Sequence, residues 1–425
     1  MRTPLVFIIC AVGLQTPLWA QGSLPPPTEA PAGFDTPTLI PNPGAKSSSN
    51  GIIEPAGDSF VLDQQIYETQ HDVNSGLGPV YNGRACAECH QNPVSGGASQ
   101  FTELRVGHLD VNGVFVNPTI PINDGAAQIA GRSLVNDRAV LPQAQEHIPV
   151  TENIRALRAA LNTLGDGFVE SIADTTLLAI AANQPALSHG RIHGEAIEVP
   201  VLEAPGQSRI GRFGWKDQHS SLLSFIGDAY LNEMGVTNRL RPHDTTTIGK
   251  VTPDPEDVPD SLGLADIDHF AQFIRGTKVP PRDAVLAATA PALAGEQVFN
   301  SIGCSACHVA SIVTAPAGTV VDGGTFVVPV ALGNKIIHPF SDFLLHDIET
   351  GDGIVQTPPQ DTANKLRTAP LWGLRTRPRY MHDLGSLTLQ NAIERHKGEA
   401  EHVRSKFRDL SDNEKQQLIS FLNSL

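Results

Sequence analysis

Several things are scarce in this 425-residue chain. Methionine occurs three times and cysteine five times, aromatic residues make up 5% and charged residues 18%. Low charge beside 40% hydrophobic residues excludes a disordered chain, which needs the opposite balance. No apolar run is long enough for a bilayer-spanning helix. There is no GxxxxGK[ST], no GxGxxG after a strand, no HExxH and no GxSxG, so nucleotide-dependent, zincin and serine-hydrolase chemistry have no motif behind them. Positive charge is also short, with 30 Lys and Arg against 45 Asp and Glu and a net charge of −15. That balance argues against nucleic acid or an anionic membrane as partner.

Cys10 lies in a segment expected to be removed. The other four cysteines form two copies of one pattern, Cys86-Ala87-Glu88-Cys89-His90 and Cys304-Ser305-Ala306-Cys307-His308. None is left over, so a disulfide framework and a four-cysteine zinc site both lose support. At the N-terminus, Met1-Arg2, the apolar run Leu5 to Val12 and Leu18-Trp19-Ala20 before Gln21 read as a signal peptide over 1–20. Export to the periplasm of a Gram-negative bacterium is the expectation. Residues 21–51, with Pro25-Pro26-Pro27 and Ser47-Ser48-Ser49, read as a flexible linker.

Val80-Tyr81-Asn82-Gly83-Arg84-Ala85-Cys86 aligns without a gap on Val298-Phe299-Asn300-Ser301-Ile302-Gly303-Cys304. Each copy also closes on an amphipathic helix. One carries Ile267, Phe270, Phe273 and Ile274. The other carries Leu418, Phe421, Leu422 and Leu425 behind a Ser411–Glu414 capping box. The expected fold is mainly α, with two cytochrome c-like domains at 52–282 and 283–425, the first holding a large loop-rich insertion. Two thiols three positions apart can reach both vinyl groups of one porphyrin and aim the next histidine at its iron. The doubled motif therefore predicts two haem c groups, with His90 and His308 as proximal ligands.

Further segments carry a resemblance. Gly211-Arg212-Phe213-Gly214-Trp215-Lys216, Asn232-Glu233-Met234-Gly235, Leu344-Leu345-His346-Asp347, Arg367-Thr368-Ala369-Pro370-Leu371-Trp372-Gly373-Leu374 and His396-Lys397-Gly398-Glu399-Ala400 resemble the bacterial di-haem oxidoreductase family, often labelled peroxidase or thiol oxidoreductase. More distantly, the C-terminal unit is similar to the di-haem cytochrome c peroxidases and to the methylamine-dehydrogenase maturation enzyme. The position matching His396 holds an axial methionine in the peroxidases. Histidine there implies a lower iron potential.

The resemblance makes His396 the leading distal ligand of the second haem, with Met381 and His382 as rivals; His346 is a further ligand candidate or a propionate partner. For the first haem, His108, His219 and Met234 stand together, and an open position is an alternative. Trp215 and Trp372 are either aromatics between the haems or buried wall residues. Glu170, Gln218 and Glu233 are candidates for moving protons during peroxide cleavage. Arg212, Lys216 and Arg367 are expected to pair with propionates. The expected function is electron transfer between two covalent haems with peroxidase-type chemistry at the N-terminal one. A small redox protein would be the donor and peroxide or a similar small oxidant the substrate. The alternative is an electron-transfer cytochrome with no substrate of its own.

Overall fold

Apolar spacing produces helices at the two closing segments that the sequence marks, Asp266–Gly276 and Asp412–Leu422, and others lie where it gives no such signal. α1 (Phe60–Glu68), α2 (Cys86–Cys89), α3 (Asp166–Glu170), α4 (Asp174–Leu187), α5 (Leu222–Met234) and α6 (Asp266–Gly276) precede the second motif. α7 (Ala284–Ala287), α8 (Ala290–Ile302), α9 (Leu389–Glu394), α10 (Glu401–Asp409) and α11 (Asp412–Leu422) complete the set. Ser411 caps α11 by accepting from the Glu414 amide, and the Glu414 carboxylate returns to the Ser411 amide. The computed structural model describes residues 25–38, 47–249, 257–357 and 359–425. The expected signal peptide lies outside the described residues. Among those described, no helix is long and apolar enough to cross a membrane.

The mainly α expectation is overturned. Helix accounts for 32% of residues and strand for 16%, spread over many small sheets. Much of the strand lies in the stretch read as a loop-rich insertion. There Thr102–Leu109 pairs antiparallel with Ile154–Ala159 from Thr102↔Ala159 to Gly107↔Ile154, and also with Leu134–Val135 and Phe115–Val116. The alternation in Ile154–Ala159 does not follow the usual rule of apolar inside. Leu157 is 47% exposed, whereas Arg158 is 2% exposed. Arg158 points inward because Asp352 meets its Nε at 2.6 Å and Gln356 also accepts from it.

The largest apolar core gathers Phe60 and Tyr67 of α1, Ile226, Tyr230 and Met234 of α5, and Phe270 and Phe273 of α6. It also includes Ile312, Ile337, Phe343 and Trp372 from beyond residue 282. A second core joins Phe299 of α8, Phe407 of α10 and Leu418, Phe421 and Leu422 of α11. Within the stretch read as a linker, Thr28–Glu29 adds a parallel strand to Lys335–Ile337. The Asn50 side chain donates to the carbonyls of Arg275 and Thr277.

Candidate functional site

Both Cys-x-x-Cys-His copies close on the same hydrogen bond, although the first is a short α-helix and the second a 3-10 turn. The amide of His90 donates to the Cys86 carbonyl at 3.0 Å, and that of His308 to the Cys304 carbonyl at 3.0 Å. Each imidazole is then fixed by a distant main-chain carbonyl. His90 Nδ1 lies 2.7 Å from the Leu161 oxygen and His308 Nδ1 lies 3.0 Å from the Phe340 oxygen. A carbonyl oxygen only accepts, so Nδ1 carries the proton and Nε2 keeps its lone pair. That is the tautomer a metal-binding histidine needs, held by the carbonyl partner such ligands usually have. Burial lowers the pKa of both rings, His308 to about 4, where His396 adds to the effect. All four cysteines are unpaired thiols. Burial pushes Cys86, Cys89 and Cys304 up to about 12. Redox dithiols work by lowering a thiol pKa, so this environment does not suit them.

Beside the second motif is a largely apolar cavity of about 210 Å³ that Cys304, Cys307 and His308 line. His396, at the end of α9, faces His308 across it, with ring centres 6.3 Å apart. His396 Nδ1 lies 2.8 Å from the Ala392 oxygen, so its Nε2 is also a free lone pair. Both rings could then ligate one metal ion through Nε2, the nitrogen that their Nδ1 hydrogen bonds leave free. The pair therefore fits a single iron between them.

The rivals also line this cavity but are held differently. Met381 sits in left-handed backbone at φ 71°. His382 packs edge-on against Trp215 at 6.0 Å. His346 has both nitrogens on carboxylates, Nε2 2.8 Å from Asp342 and Nδ1 2.9 Å from Glu399. Carboxylates only accept, so this ring is an imidazolium without a lone pair. Its pKa is well above normal because Asp342 and Cys307 outweigh burial. Arg367 and Arg377 also line the cavity, and burial together with repulsion from Arg367 lowers Arg377 to about 10. An anionic group such as a propionate would relieve that repulsion. Arg212 and Lys216 are committed elsewhere. Arg212 holds the Ile172 and Ile210 carbonyls, and Lys216 Nζ holds those of Thr362, Ala363 and Lys365.

Around the first motif, Glu233 of α5 accepts from Asn82 Nδ2 at 2.7 Å and acts on Cys89 together with Glu88 and Glu103. Burial and Glu103 raise the Glu233 pKa well above normal. Glu103 goes the other way, because Arg105 at 2.5 Å outweighs its burial. The surroundings thus drive the two carboxyls in opposite directions, Glu233 up and Glu103 down. Glu103 escaped the sequence reading because 130 positions separate it from Glu233.

The remaining candidates scatter. Glu170 is clamped by Arg275 at 2.6 and 2.8 Å and accepts from the Leu222 amide. Gln218 accepts from the Lys216 amide. His108 lies at the far end of its strand, paired with Glu152. His219 stacks edge-on with Phe225 and pairs with Asp228. Met234 is buried in the core against which Cys86 packs. Trp372 is buried in that core too, its Nε1 without a hydrogen-bond partner among the described residues. Trp215 lines the cavity, and its Nε1 donates to the Ala159 carbonyl at 2.9 Å. Two residues on, Leu161 accepts from His90. Trp215 thus lies between the cavity and the strand end that holds the first motif's histidine.

A family model described as "Di-haem oxidoreductase, putative peroxidase" matches residues 150–425. No functionally curated protein matches the chain. Solved structures similar to it include hydrazine synthase of Kuenenia stuttgartiensis, at 15% identity and TM-score 0.37 over 100% of both chains. A variant of the diheme peroxidase BthA of Burkholderia thailandensis is 14% identical, with TM-score 0.31 over 72% of this chain and 95% of that one. A MauG-like protein associated with microbial copper homeostasis is 20% identical, with TM-score 0.25 over 39% and 55%.

Proposed function

The chain belongs to the di-haem oxidoreductase family, whose chemistry is redox chemistry at haem, and we propose that it is an exported two-domain c-type protein in which one haem relays electrons and the other meets a small oxidant. Cys86 and Cys89 would hold the first haem by thioether bonds with His90 as its proximal ligand. Cys304, Cys307 and His308 would hold the second, with His396 as its distal ligand. The bound groups supply two irons able to exchange single electrons.

The chain's own residues set the division of labour. With His308 and His396 both holding it, the second haem would have no open position for a substrate. Arg367 and Arg377 orient and neutralise the carboxylates of the bound group. Trp215 bridges the cavity and the strand end under His90, which suits electron passage between the two sites. Glu233 stays protonated beside Cys89 and can give its proton to a bound oxidant, while Asn82 fixes its orientation. Arg105 holds Glu103 as the anion that keeps the Glu233 proton in place. A small redox protein would deliver electrons, and peroxide is the substrate we favour.

The observation that carries this reading is the His308–His396 pair, two rings 6.3 Å apart with Nε2 left unprotonated, in a cavity lined by the second cysteine pair. His396→Ala tests it by absorption and EPR spectroscopy. The C-terminal haem should change from low spin to high spin and begin to bind cyanide. An unchanged low-spin signal would remove His396 from the iron.

A further inference from the structure

The chain has four tyrosines, and the structure gives Tyr230 a built-in proton acceptor. Tyr230 lies in α5 with its side chain buried. Its hydroxyl donates at 2.9 Å to Oδ2 of Asp266, the first residue of α6. His71 stands edge-on to the ring at 5.7 Å, with Nε2 3.4 Å from the same hydroxyl. The Ser75 carbonyl lies 2.9 Å from His71 Nδ1, so the proton is on Nδ1 and Nε2 is an acceptor too. The Asp266 side chain is 35% exposed, which opens a way to water for a proton it accepts. Tyr67, buried in the same core, has no hydrogen-bond partner for its hydroxyl among the described residues.

This arrangement borders the first Cys-x-x-Cys-His motif. The His71 amide donates to the Arg84 carbonyl at 2.8 Å, and Arg84 Nε returns to the His71 carbonyl at 2.9 Å, two positions before Cys86. The amides of Asn82 and Gly83 both donate to the Glu233 carbonyl, which ties the last turn of α5 to the same approach. Cys86 packs against the core that includes Tyr230. The Asp266 carboxylate adds to burial in opposing ionisation of the Cys86 thiol. Burial and Asp266 hold the Tyr230 phenol well above its ordinary pKa, so it rests protonated. A buried phenol gives up an electron more readily when a base in hydrogen-bond contact takes its proton at the same time.

We infer that Tyr230 is a redox-active residue, which gives one electron to the first haem site and its phenolic proton to Asp266. The step presupposes peroxide as the substrate, as proposed above. Reducing peroxide to two waters takes two electrons and two protons. The first haem supplies one electron, and Tyr230 supplies the other when the second haem has none to give. The Tyr230 O–H bond breaks, the residue is oxidised to the neutral phenoxyl radical, and Asp266 gains the proton. Glu233 and solvent supply the protons that reach the oxidant. A later electron from the donor protein, with the proton returned from Asp266, restores the tyrosine.

The test uses the full chain loaded with both haems and fully oxidised, rapidly frozen after mixing with hydrogen peroxide and followed by EPR. The expected result is a radical signal that narrows when the protein is made with ring-deuterated tyrosine. It should fall about tenfold or more in Tyr230→Phe, and similarly in Asp266→Asn, which removes the base and keeps the size of the side chain. If Tyr230→Phe does not fold, the triple variant Tyr67→Phe, Tyr81→Phe and Tyr380→Phe, which leaves Tyr230 as the remaining tyrosine, must keep the signal. A second arm replaces peroxide with a photo-oxidised ruthenium tris-bipyridine complex, which removes electrons without peroxide chemistry. Haem spectra untouched by peroxide, together with a Tyr230 signal in the ruthenium arm, would remove peroxide as the substrate and uphold Tyr230 as redox-active. A first haem oxidised by peroxide with no tyrosyl signal, a signal that survives Tyr230→Phe, or no Tyr230 signal in either arm would each overturn the inference.

Discussion

In His90, His308 and His396 a backbone carbonyl holds the proton on Nδ1, which leaves Nε2 free for a metal. The same logic removes His346, whose nitrogens both face carboxylates. These distinctions depend on partners from other segments, so the sequence offered His396, Met381 and His382 together with no means of choosing among them on residue chemistry. Glu233 is the side chain with the most to lose from a conservative change. Glu233→Gln keeps the shape and the contact with Asn82 but removes the acid. Peroxide turnover should fall about 10²-fold or more while both haem spectra stay unchanged, as steady-state and stopped-flow measurements would report. Trp215→Phe should slow electron transfer between the haems without altering either spectrum. An unchanged transfer rate would reduce Trp215 to a wall residue.

α6 and α11 were legible in the sequence, because apolar residues three and four apart leave one solution for each. The sheet built on Thr102–Leu109 was not. Its strand Ile154–Ala159 buries an arginine and exposes a leucine, which inverts the pattern that marks a half-buried strand. Close packing of α8 on α11 also depends on a detail that the sequence shows only as one glycine. A Cβ at Gly295 would lie 1.9 Å from the Gln417 carbonyl oxygen. Gly295→Ala should therefore force the helices apart and destabilise the fold by about 1–3 kcal/mol, measurable by chemical denaturation.

The two cysteine motifs lie more than 200 positions apart, yet the folded chain ties their surroundings together at several points. Arg158, from the first half, is buried against Asp352 from the second, and Lys216 Nζ meets the same carboxylate at 3.1 Å. Arg158→Ala would leave Asp352 with half its counter-charge, and a loss of about 3–5 kcal/mol is expected. Arg158 and Lys216 outweigh burial and lower Asp352 to about 2. A depressed carboxylate pKa stabilises the fold above its unfolded value of about 4 and loses that contribution as the pH falls toward about 2. Denaturation between pH 5 and pH 2 should show this loss in the wild type and less of it in Arg158→Ala. The repeat was visible in the sequence because both copies keep the same Cys-x-x-Cys-His spacing behind a gap-free match. The buried ion pairs between the halves were not visible, because nothing local requires them.

The division between a relay haem and a reactive haem is tested most directly by adding cyanide to the oxidised and half-reduced protein while following EPR. One haem, the N-terminal one, should take up cyanide in at least one of these states, while the other keeps its low-spin signal throughout. Cyanide uptake by the C-terminal haem of the unmodified protein, or by neither haem in any state, would contradict that assignment.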